Sequence, residues 1–554
     1  MQRGFATIGA AASGVLIGAC SVDAPRSEPL PTCDAPAEPG FEDILQGSGI
    51  GFVHDDEPAV PDGTTQGVLD YMHDVTAGVV AADFDQDGWV DLFFPQPGGP
   101  SELHWGVDGR RWERAVDAGF EPLPPLTAVA SAADFDGDGL PDLAVGAPGR
   151  VVLLHNQGDR RFRDVTEDVA LTDREGIVSG LSFGDADGDG DLDLFVCRHV
   201  RDADQATGVL YAARSDLWRN DVGGFTRTSH VLPYPDGDGG TCLHAAWVDV
   251  DLDGDPDLIQ TNDFGDFYVA TMLFENRTRG DDWVFVDRAD DASLGRLSAP
   301  MGMAFRDFDQ SGLPDLWFSN LGANPIFRQD RPWLLTDVSL AWGGEVPQPR
   351  PWTSWSVLDV DLAGEGHPGV FITYGPLAVP QADGTPGGPD QPQPILEQPD
   401  RFLAAPDWGE ADAFRTLEDD ALATVANSRG AALADLDRDG VPDLVVGRIG
   451  DPPGLLRGRC TSAHRLVVEL RDPTSYNRFG IGARVTVRVD GRSDSQQMRA
   501  GGRGSFSGSD PVLLFGTGAA DRVDAIEVQW PGGPTETWTD LCSDCRLTFT
   551  RPPS

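Results

Sequence analysis

The chain has 554 residues and a formal net charge of −49 at pH 7, with 90 Asp plus Glu against 41 Lys plus Arg. Nucleic acids and anionic membrane surfaces are bound through basic patches, so this balance argues against both as partners. The acidity is uneven, because residues 461–554 contain 11 Arg and 11 Asp plus Glu. Uniform adaptation to high salt is therefore a poor explanation of the charge.

The first twenty residues have the form of an export signal. Arg3 precedes a small-residue apolar stretch at 4–16, and Ile17 to Cys20 resembles a bacterial lipoprotein cleavage box. We expect residues 1–19 to be a signal peptide, Cys20 to carry a lipid and the Pro-rich segment 20–40 to be a tether to the cell envelope, with the outer membrane or cell surface favoured. Cleavage and release without a lipid is the alternative. No later apolar run reaches the roughly 18 residues of a membrane-spanning helix.

A nine-residue pattern, Asp-x-Asp-x-(Asp/Ser)-Gly-x-x-Asp, occurs six times. The first, third, fifth and ninth positions are the candidate metal ligands: Asp83, Asp85, Asp87 and Asp91; Asp134, Asp136, Asp138 and Asp142; Asp185, Asp187, Asp189 and Asp193; Asp249, Asp251, Asp253 and Asp257; Asp307, Asp309, Ser311 and Asp315; Asp435, Asp437, Asp439 and Asp443. A seventh copy at 361–369 has lost its third and ninth carboxylates.

The spacing suits calcium. Calcium prefers six to eight hard oxygen ligands, which side chains at alternate positions of a tight loop can supply. The glycine at the sixth position permits the sharp turn because it adopts positive φ without steric cost. An EF-hand would need Glu at the twelfth position, where this chain has Phe94, Val145 and other residues that cannot close such a site. The predicted cofactor is calcium at about six sites.

Short apolar runs precede and follow every copy, which is typical of two strands joined by a loop. The copies recur every 51 to 74 residues, a period that fits a β-propeller with one copy per blade. The sequence therefore predicts an all-β fold with a seven-bladed propeller at 41–460 and a Pro/Gly-rich insertion at 376–400.

Two family resemblances follow from these motifs. The loops with their flanking strands resemble the FG-GAP or VCBS repeats of integrin α-subunit propellers. Four later segments, at 477–484, 499–501, 515–518 and 528–533, are similar to the ASPIC/UnbV domain that follows such propellers. The resemblance implies a small β-rich C-terminal domain at 461–550, calcium-bound architecture, extracellular interaction and no established reaction.

Six cysteines remain after Cys20: Cys33, Cys197, Cys242, Cys460, Cys542 and Cys545. An even number in an exported chain indicates disulfides, with fifteen possible pairings. A bridge between Cys197 and Cys242 would join adjacent blades. For Cys542 and Cys545 we expect a structural disulfide, one that could involve Cys460, rather than a redox or zinc motif.

Enzyme motifs are weak. Gly180 to Gly184 matches GxSxG, but it lies on a predicted strand and not on the strand-to-helix turn of a hydrolase. Tryptophans near the loops (Trp89, Trp247, Trp317, Trp352 and Trp355) fit packing between blades better than sugar stacking, and His244 fits a core position.

The sequence therefore predicts a non-enzymatic, calcium-stabilised surface lipoprotein that binds an extracellular protein or glycan. The alternative is a secreted polysaccharide hydrolase or lyase on the same scaffold, since fold alone does not exclude it.

Overall fold

The computed structural model describes residues 24–553 except 34, 55–75, 121–122, 125, 205–208, 223, 236–238, 266–267, 298, 344–351, 377–397 and 406–412. The signal peptide, Cys20 and most of the 376–400 insertion lie outside the described residues. The fold is all-β, as predicted, with short helical turns at Ser229–Val231, Leu294–Arg296 and Ser339–Trp342. In the described part of the chain, no helix combines the length and hydropathy that crossing a membrane requires.

Seven antiparallel sheets follow each other along the chain, each an up-and-down array of four strands. The first three contain Val80–Ala82, Asp91–Phe94, Glu102–Gly106 and Trp112–Arg114 (sheet 1); Val129–Ala133, Asp142–Ala147, Arg150–Asn156 and Phe162–Asp164 (sheet 2); Val178–Gly184, Asp193–Arg198, Asp216–Asn220 and Phe225–Arg227 (sheet 3). A hairpin of Val200–Asp204 and Val209–Ala212 projects from sheet 3.

The other four sheets repeat the arrangement. They contain Cys242–Val248, Asp257–Asn262, Met272–Asn276 and Phe285–Asp287 (sheet 4); Met303–Arg306, Asp315–Phe318, Ile326–Arg331 and Leu334–Asp337 (sheet 5); Ser354–Val360, Gly369–Tyr374, Arg401–Ala404 and Arg415–Thr416 (sheet 6); Asn427–Ala434, Asp443–Ile449 and Gly454–Gly458 with Phe41–Asp43 (sheet 7). The N-terminal strand thus completes the last sheet.

Buried apolar clusters join each sheet to the next. Sheets 1 and 2 share a core around Phe84 and Phe162, and sheets 4 and 5 share one around Ile259 and Leu316. Sheet 7 packs on sheet 1 through residues such as Leu455, so the succession of sheets returns to its start. The arrangement is propeller-like; its count of seven blades stays a prediction.

The C-terminal region forms two further four-stranded sheets. One has the order Arg26–Pro29, Cys545–Thr550, His464–Arg471, Leu513–Gly518, and the other Arg492–Gln497, Arg484–Val489, Arg522–Gln529, Thr535–Cys542. We call the residues from 461 onwards the C-terminal domain. Part of the predicted tether is therefore not a free linker, because Arg26–Pro29 pairs antiparallel with residues 545–548.

The segment 500–509 of the C-terminal domain, the plug, enters the middle of the ring. Its hydrogen bonds reach the first strands of sheets 1, 3, 6 and 7, through the pairs Gly508–Ala81, Gly501–Ser182, Ser505–Ser356 and Ser509–Leu433. The side chain of Phe506 is buried beside Trp355. The sequence left open how the C-terminal domain sits, and the structure places it on the axis of the ring.

Three disulfides lie within the described residues. Cys197 and Cys242 are bonded and join sheets 3 and 4, as predicted. Cys460 bonds to Cys33, so it is not a partner of the Cys542/Cys545 pair, whose members bond to each other at the turn between two strands. The structural role expected for that pair is supported, whereas the suggested involvement of Cys460 is wrong.

Candidate metal loops and their seat for the C-terminal domain

The nine-residue motifs all occupy the same place in their sheets. Each begins directly after the first strand and ends on the first residue of the second, so every connection has eight residues, from 83–90 in sheet 1 to 435–442 in sheet 7. The sixth-position glycine has positive φ throughout, for example +94° at Gly88, and its N–H donates to the first aspartate, at 2.9 Å from Asp83 Oδ2. The predicted hairpin loops are present.

The loops bring the first, third and ninth carboxylates together. In each of the first four loops, ligand oxygens of these three aspartates lie within 4.8 Å of one another, as in Asp83, Asp85 and Asp91. The fifth residue lies further out on the surface: Asp87 is exposed and its Oδ1 accepts from the Trp89 N–H at 2.9 Å. Spacing predicted ligands at all four positions, but the fold groups the first, third and ninth carboxylates and places the fifth further out.

The ninth aspartate is also a structural anchor. Asp91 is fully buried, and its two oxygens accept the N–H of Phe84 at 2.9 Å and of Gly106, in the third strand, at 2.7 Å. The same two bonds recur at Asp142, Asp193, Asp257, Asp315 and Asp443. Burial raises the pKa of all six carboxyls well above the ordinary value. These residues tie the loop to the third strand of its own sheet.

In loops 1 and 3 the first aspartate leaves an oxygen free for a cation. Asp185 is 6% exposed, and its Oδ1 has no hydrogen-bond partner; the Oδ1 of Asp83 is likewise buried and unpartnered. Burial, with repulsion from the third and fifth carboxylates, raises the pKa of Asp83 to about 6 and of Asp185 to about 7. A buried carboxylate oxygen without a donor is costly unless a proton or a cation compensates it, so these loops fit calcium.

Basic side chains line the outer edge of several loops. The Nε of Arg160 lies 2.5 Å from Asp85, the Nε2 of His155 lies 3.0 Å from Asp136, and the Nε of Arg219 lies 3.3 Å from Asp187. The two arginines offset part of the repulsion among the carboxylates. They leave the first and ninth aspartates of the same loops without a basic partner at hydrogen-bond distance.

Sequence analysis missed a set of amide residues that join neighbouring loops. Asn156 ends the third strand of sheet 2; its N–H donates to Asp142 in its own loop, and its Nδ2 donates to Phe84 O in the loop of sheet 1, both at 2.7 Å. Asn220, Asn276 and Gln329 make the corresponding bonds to preceding loops. The signal in the sequence is an Asn or Gln 14 to 27 residues after the ninth position of these four motifs, a spacing too variable to be recognised alone.

The C-terminal domain covers the face that carries the loops. It meets loops 2, 3, 4, 6 and 7 through the pairs Arg478–Gly137, Asn477–Gly190, Gln497–Asp249, Arg492–Glu365 and Arg546–Asp435, at 2.6 to 3.0 Å. In loops 2, 3, 4 and 6 the acceptor is a backbone carbonyl, so these bonds do not use the carboxylates of the loops. The metal loops are therefore also the surface on which the C-terminal domain packs.

A buried ionic network fastens the domain beside the plug. Arg306 of sheet 5 lies 3.0 Å from Asp359 of sheet 6 and 2.7 Å from Asp494 of the C-terminal domain, and Arg499 lies 3.3 Å from Asp359. Burial would raise the pKa of Asp359, but the charges of Arg503, Arg499 and Arg306 lower it below its ordinary value. The carboxylate is therefore held ionised at the interface.

An interface cavity of about 400 Å³ lies between loops 1 and 7 and the C-terminal domain. Asp83, Asp435 and Asp510 line it together with Arg438 and Arg546. The arginines are engaged, since Arg546 pairs with Asp435 and Arg438 donates to the backbone of loop 1. The cavity is a polar gap at a domain contact.

The remaining sequence candidates are core residues except Trp89, which is half-buried in loop 1. Trp247, Trp317, Trp352 and Trp355 are each at most 9% exposed, as is His244, so the packing interpretation is confirmed for them and sugar stacking is excluded. Ser182 of the GxSxG match lies inside the first strand of sheet 3, is buried and pairs with Gly501. It therefore lacks the exposed turn that a nucleophilic serine requires.

Comparison with known families agrees with both resemblances. Residues 134–196 match the family model described as FG-GAP-like repeat, and residues 473–554 match the one described as ASPIC and UnbV. The first match contains loops 2 and 3 and ends within the strand Asp193–Arg198. The second begins within the C-terminal domain.

Among curated proteins, cartilage acidic protein 1 of Mus musculus is 29% identical over 223 residues, 36% of this chain and 32% of the relative. The Xenopus tropicalis protein of the same name is 24% identical over 271 residues, 47% and 38%. Phosphatidylinositol-glycan-specific phospholipase D of Rattus norvegicus is 27% identical over 175 residues, 26% and 21%. The chain thus spans well under half the length of these relatives.

Solved structures show weaker likeness. An Agrocybe aegerita lectin that recognises non-reducing terminal N-acetylglucosamine aligns with a TM-score of 0.38 and 13% identity, over 68% of this chain and 86% of that one. An exotype rhamnogalacturonan lyase aligns with a TM-score of 0.31 and 12% identity, over 70% and 90%. Likeness at this level carries no argument about function. Residues 134–196 thus carry an FG-GAP-like repeat and residues 473–554 an ASPIC and UnbV domain, in agreement with both resemblances.

Proposed function

We propose that the protein is an exported, calcium-stabilised binding module without catalytic activity, whose partner is an extracellular protein or glycan. The observation that supports calcium is the unpartnered buried Oδ1 of Asp185 beside Asp187 and Asp193. Calcium would be held by the first, third and ninth residues of the six intact loops, with the fifth residue closing the site from outside. Bound there, it would neutralise the carboxylates without a proton.

We propose that the partner binds the face opposite to the C-terminal domain. The connections between first and second strands are uniform and covered, whereas those between second and third strands emerge on the other face and range from two residues (148–149) to 26 residues (375–400). Surface loops of variable length on a rigid scaffold are where recognition tends to reside. The plug fills the middle of the ring from the covered side, which leaves the opposite face as the accessible one.

A hydrolase or lyase is the less favoured candidate. The GxSxG serine is buried in a strand, and the phospholipase D relative is matched over a fifth of its length. Export and lipid attachment at Cys20 remain proposals that rest on the form of residues 1–20.

Thermal unfolding with and without chelator tests the calcium proposal. Binding to the folded state alone stabilises it by about 2.7 kcal/mol per site at a hundredfold excess over Kd. Chelator should therefore lower the Tm by many degrees, and calcium should restore it better than magnesium, which demands a stricter octahedral geometry. An unchanged Tm in chelator would contradict the proposal.

Partner capture tests the proposed face. The exported protein is immobilised and exposed to the extracellular fraction of the same cells and to candidate polysaccharides. Leu321, 46% exposed in the second-to-third connection of sheet 5, is changed to Arg, and Val284, 39% exposed on the covered side, is the matched control. We expect Leu321→Arg to lose the partner and Val284→Arg to retain it. If both variants retained the partner equally, the proposed binding face would be wrong. Release of reducing sugar from a polysaccharide would contradict the proposal that the protein has no catalytic activity.

A further inference from the structure

The first aspartate of the sixth loop, residues 361–369, bonds to its own loop through both oxygens, as Asp134, Asp249 and Asp307 do in theirs. Asp361 Oδ1 accepts the N–H groups of Gly364 at 2.9 Å and Glu365 at 3.2 Å, and Oδ2 accepts that of Gly366 at 2.7 Å. In loop 3, by contrast, the Oδ1 of Asp185 has no partner. Both oxygens of Asp361 are therefore committed to the loop itself.

The ninth position of this loop has no room for a carboxylate. A Cβ built on Gly369 would lie 2.5 Å from Cζ of Phe402 and 2.6 Å from the carbonyl oxygen of Leu403. Phe402 belongs to the third strand of sheet 6 and is 3% exposed, packed in the core between sheets 6 and 7. Since the third position is Ala363, the loop retains one of the three carboxylates that form the triads elsewhere. It does not fit a calcium ion.

An arginine of the C-terminal domain lies at this loop instead. The Nη1 of Arg465 is 2.6 Å from the point that a Cβ on Gly364 would occupy, and its Nη2 donates to Thr461 Oγ1 at 3.0 Å. Arg465 is 4% exposed. Burial lowers the pKa of its guanidinium, and the carboxylate of Asp361 is the strongest influence that raises it. Asp361 is one of four carboxylates, with Asp439, Asp544 and Asp435, that surround this buried cation of the other domain.

Backbone carbonyls of the same loop receive three further bonds from the C-terminal domain. Thr461 Oγ1 donates to Ala363 O at 2.9 Å, and the N–H of Gly518 donates to Gly364 O at 2.9 Å. Arg492 Nη1 donates to Glu365 O at 2.6 Å. Three consecutive carbonyls are therefore acceptors for one domain, a denser set than the single backbone acceptor used in loops 2 and 4.

We propose that the sixth loop is a docking site that binds no metal, in which three backbone carbonyls and the guanidinium of Arg465 beside Gly364 hold the C-terminal domain on the ring. The loss of the third and ninth carboxylates is then the change that made an ion site into a docking site. This inference does not depend on calcium binding by the other loops.

Hydrogen exchange and metal counting on the whole exported chain test it. Arg465→Met and Asp361→Asn should each speed amide exchange of residues 361–369 by about tenfold or more, because the docked loop would open more often. The matched control is Arg471→Met on the same strand, since that side chain is 43% exposed and meets Glu469 at 3.4 Å. Exchange of 361–369 should be unchanged in the control.

Calcium bound per chain, measured after exhaustive dialysis, separates the two proposals. Asp361→Asn should leave the calcium content unchanged, whereas Asp185→Asn should reduce it by about one ion. A loss of calcium in Asp361→Asn, or unaltered exchange in Arg465→Met, would overturn the inference. If the unaltered chain binds no calcium, the proposed function fails, and the exchange result still decides the role of Arg465.

Discussion

Arg546 of the C-terminal domain donates to Asp435, the first aspartate of the seventh loop, at 2.6 Å, and its other terminal nitrogen donates to Glu469 at 2.8 Å. The side chains are 11% and 2% exposed for Arg546 and Asp435. Even with this partner, burial raises the pKa of Asp435 to about 6. In the metal-free loop the contact therefore compensates a buried carboxylate, and it links the two domains.

Arg546→Met should destabilise the protein by about 3 kcal/mol at pH 8, because breaking a buried ion pair leaves the other charge uncompensated. The loss of stability should be smaller at pH 5, where Asp435 can take up a proton. Urea unfolding at both pH values measures it. Arg471→Met, which removes a half-exposed pair, should cost less than about 1 kcal/mol; equal losses in the two variants would contradict the role given to Arg546.

Asn156→Asp tests the links between neighbouring loops. The substitution keeps the shape but replaces the Nδ2 donor by a carboxylate facing the carbonyl oxygens of Phe84 and Pro141 in a site that is 1% exposed. We expect a loss of about 3 kcal/mol, since both carbonyls lose their donor and a charge is buried beside them. Gln157→Glu makes the same change of charge at the adjacent exposed residue and should be nearly neutral in chemical denaturation.

Gly504→Val tests the plug. Gly504 has φ +70°, and a Cβ there would lie 2.3 Å from the carbonyl oxygen of Ala431. In this variant the plug should no longer fit in the middle of the ring. The C-terminal domain should then be cleaved faster in limited proteolysis. Gly491→Val carries the same kind of backbone strain, at φ +78°, but has no atom within 4 Å of its Cβ. If both variants were cleaved at the same rate, strain and not the filled space would be the cause.

The pH dependence of stability in chelator should be opposite to that of a protein with salt-bridged carboxylates. The pKa of Asp134 and of Asp249 is raised from 3.8 to about 7 in the folded, metal-free state, so the folded state binds more protons than the unfolded state between these values. Stability therefore falls as pH rises from about 4 to about 7. Calorimetry in chelator should show a lower Tm at pH 8 than at pH 5.

Calcium should flatten that dependence, because an ion in the loop replaces the proton as the compensating charge. The comparison in saturating calcium separates the loops from the general effect of a net charge of −49, because about six divalent ions would leave roughly three quarters of that charge in place. If the pH dependence of the Tm were the same with and without calcium, surface charges and not the first aspartates of the loops would be its cause.

The loops and their strands were predictable from the sequence because both are local. Nine residues contain the turn glycine, the carboxylates and the first residue of the next strand, so Asp83 to Asp91 fix their own geometry whatever surrounds them. The ASPIC/UnbV resemblance was equally visible, since its motifs are contiguous segments. Even the unusual loop at 361–369 was recognisable, although its purpose was not.

Only the tertiary structure decided what lies opposite those loops. The contact of Arg465 with the sixth loop, the bond from Asn156 to Phe84 and the entry of residues 500–509 into the ring all join residues far apart in the chain, where no periodicity records the pairing. The ninth aspartate shows the same division. Its presence in the motif follows from the sequence, but its anchoring of the third strand depends on register, which the packing of whole sheets sets.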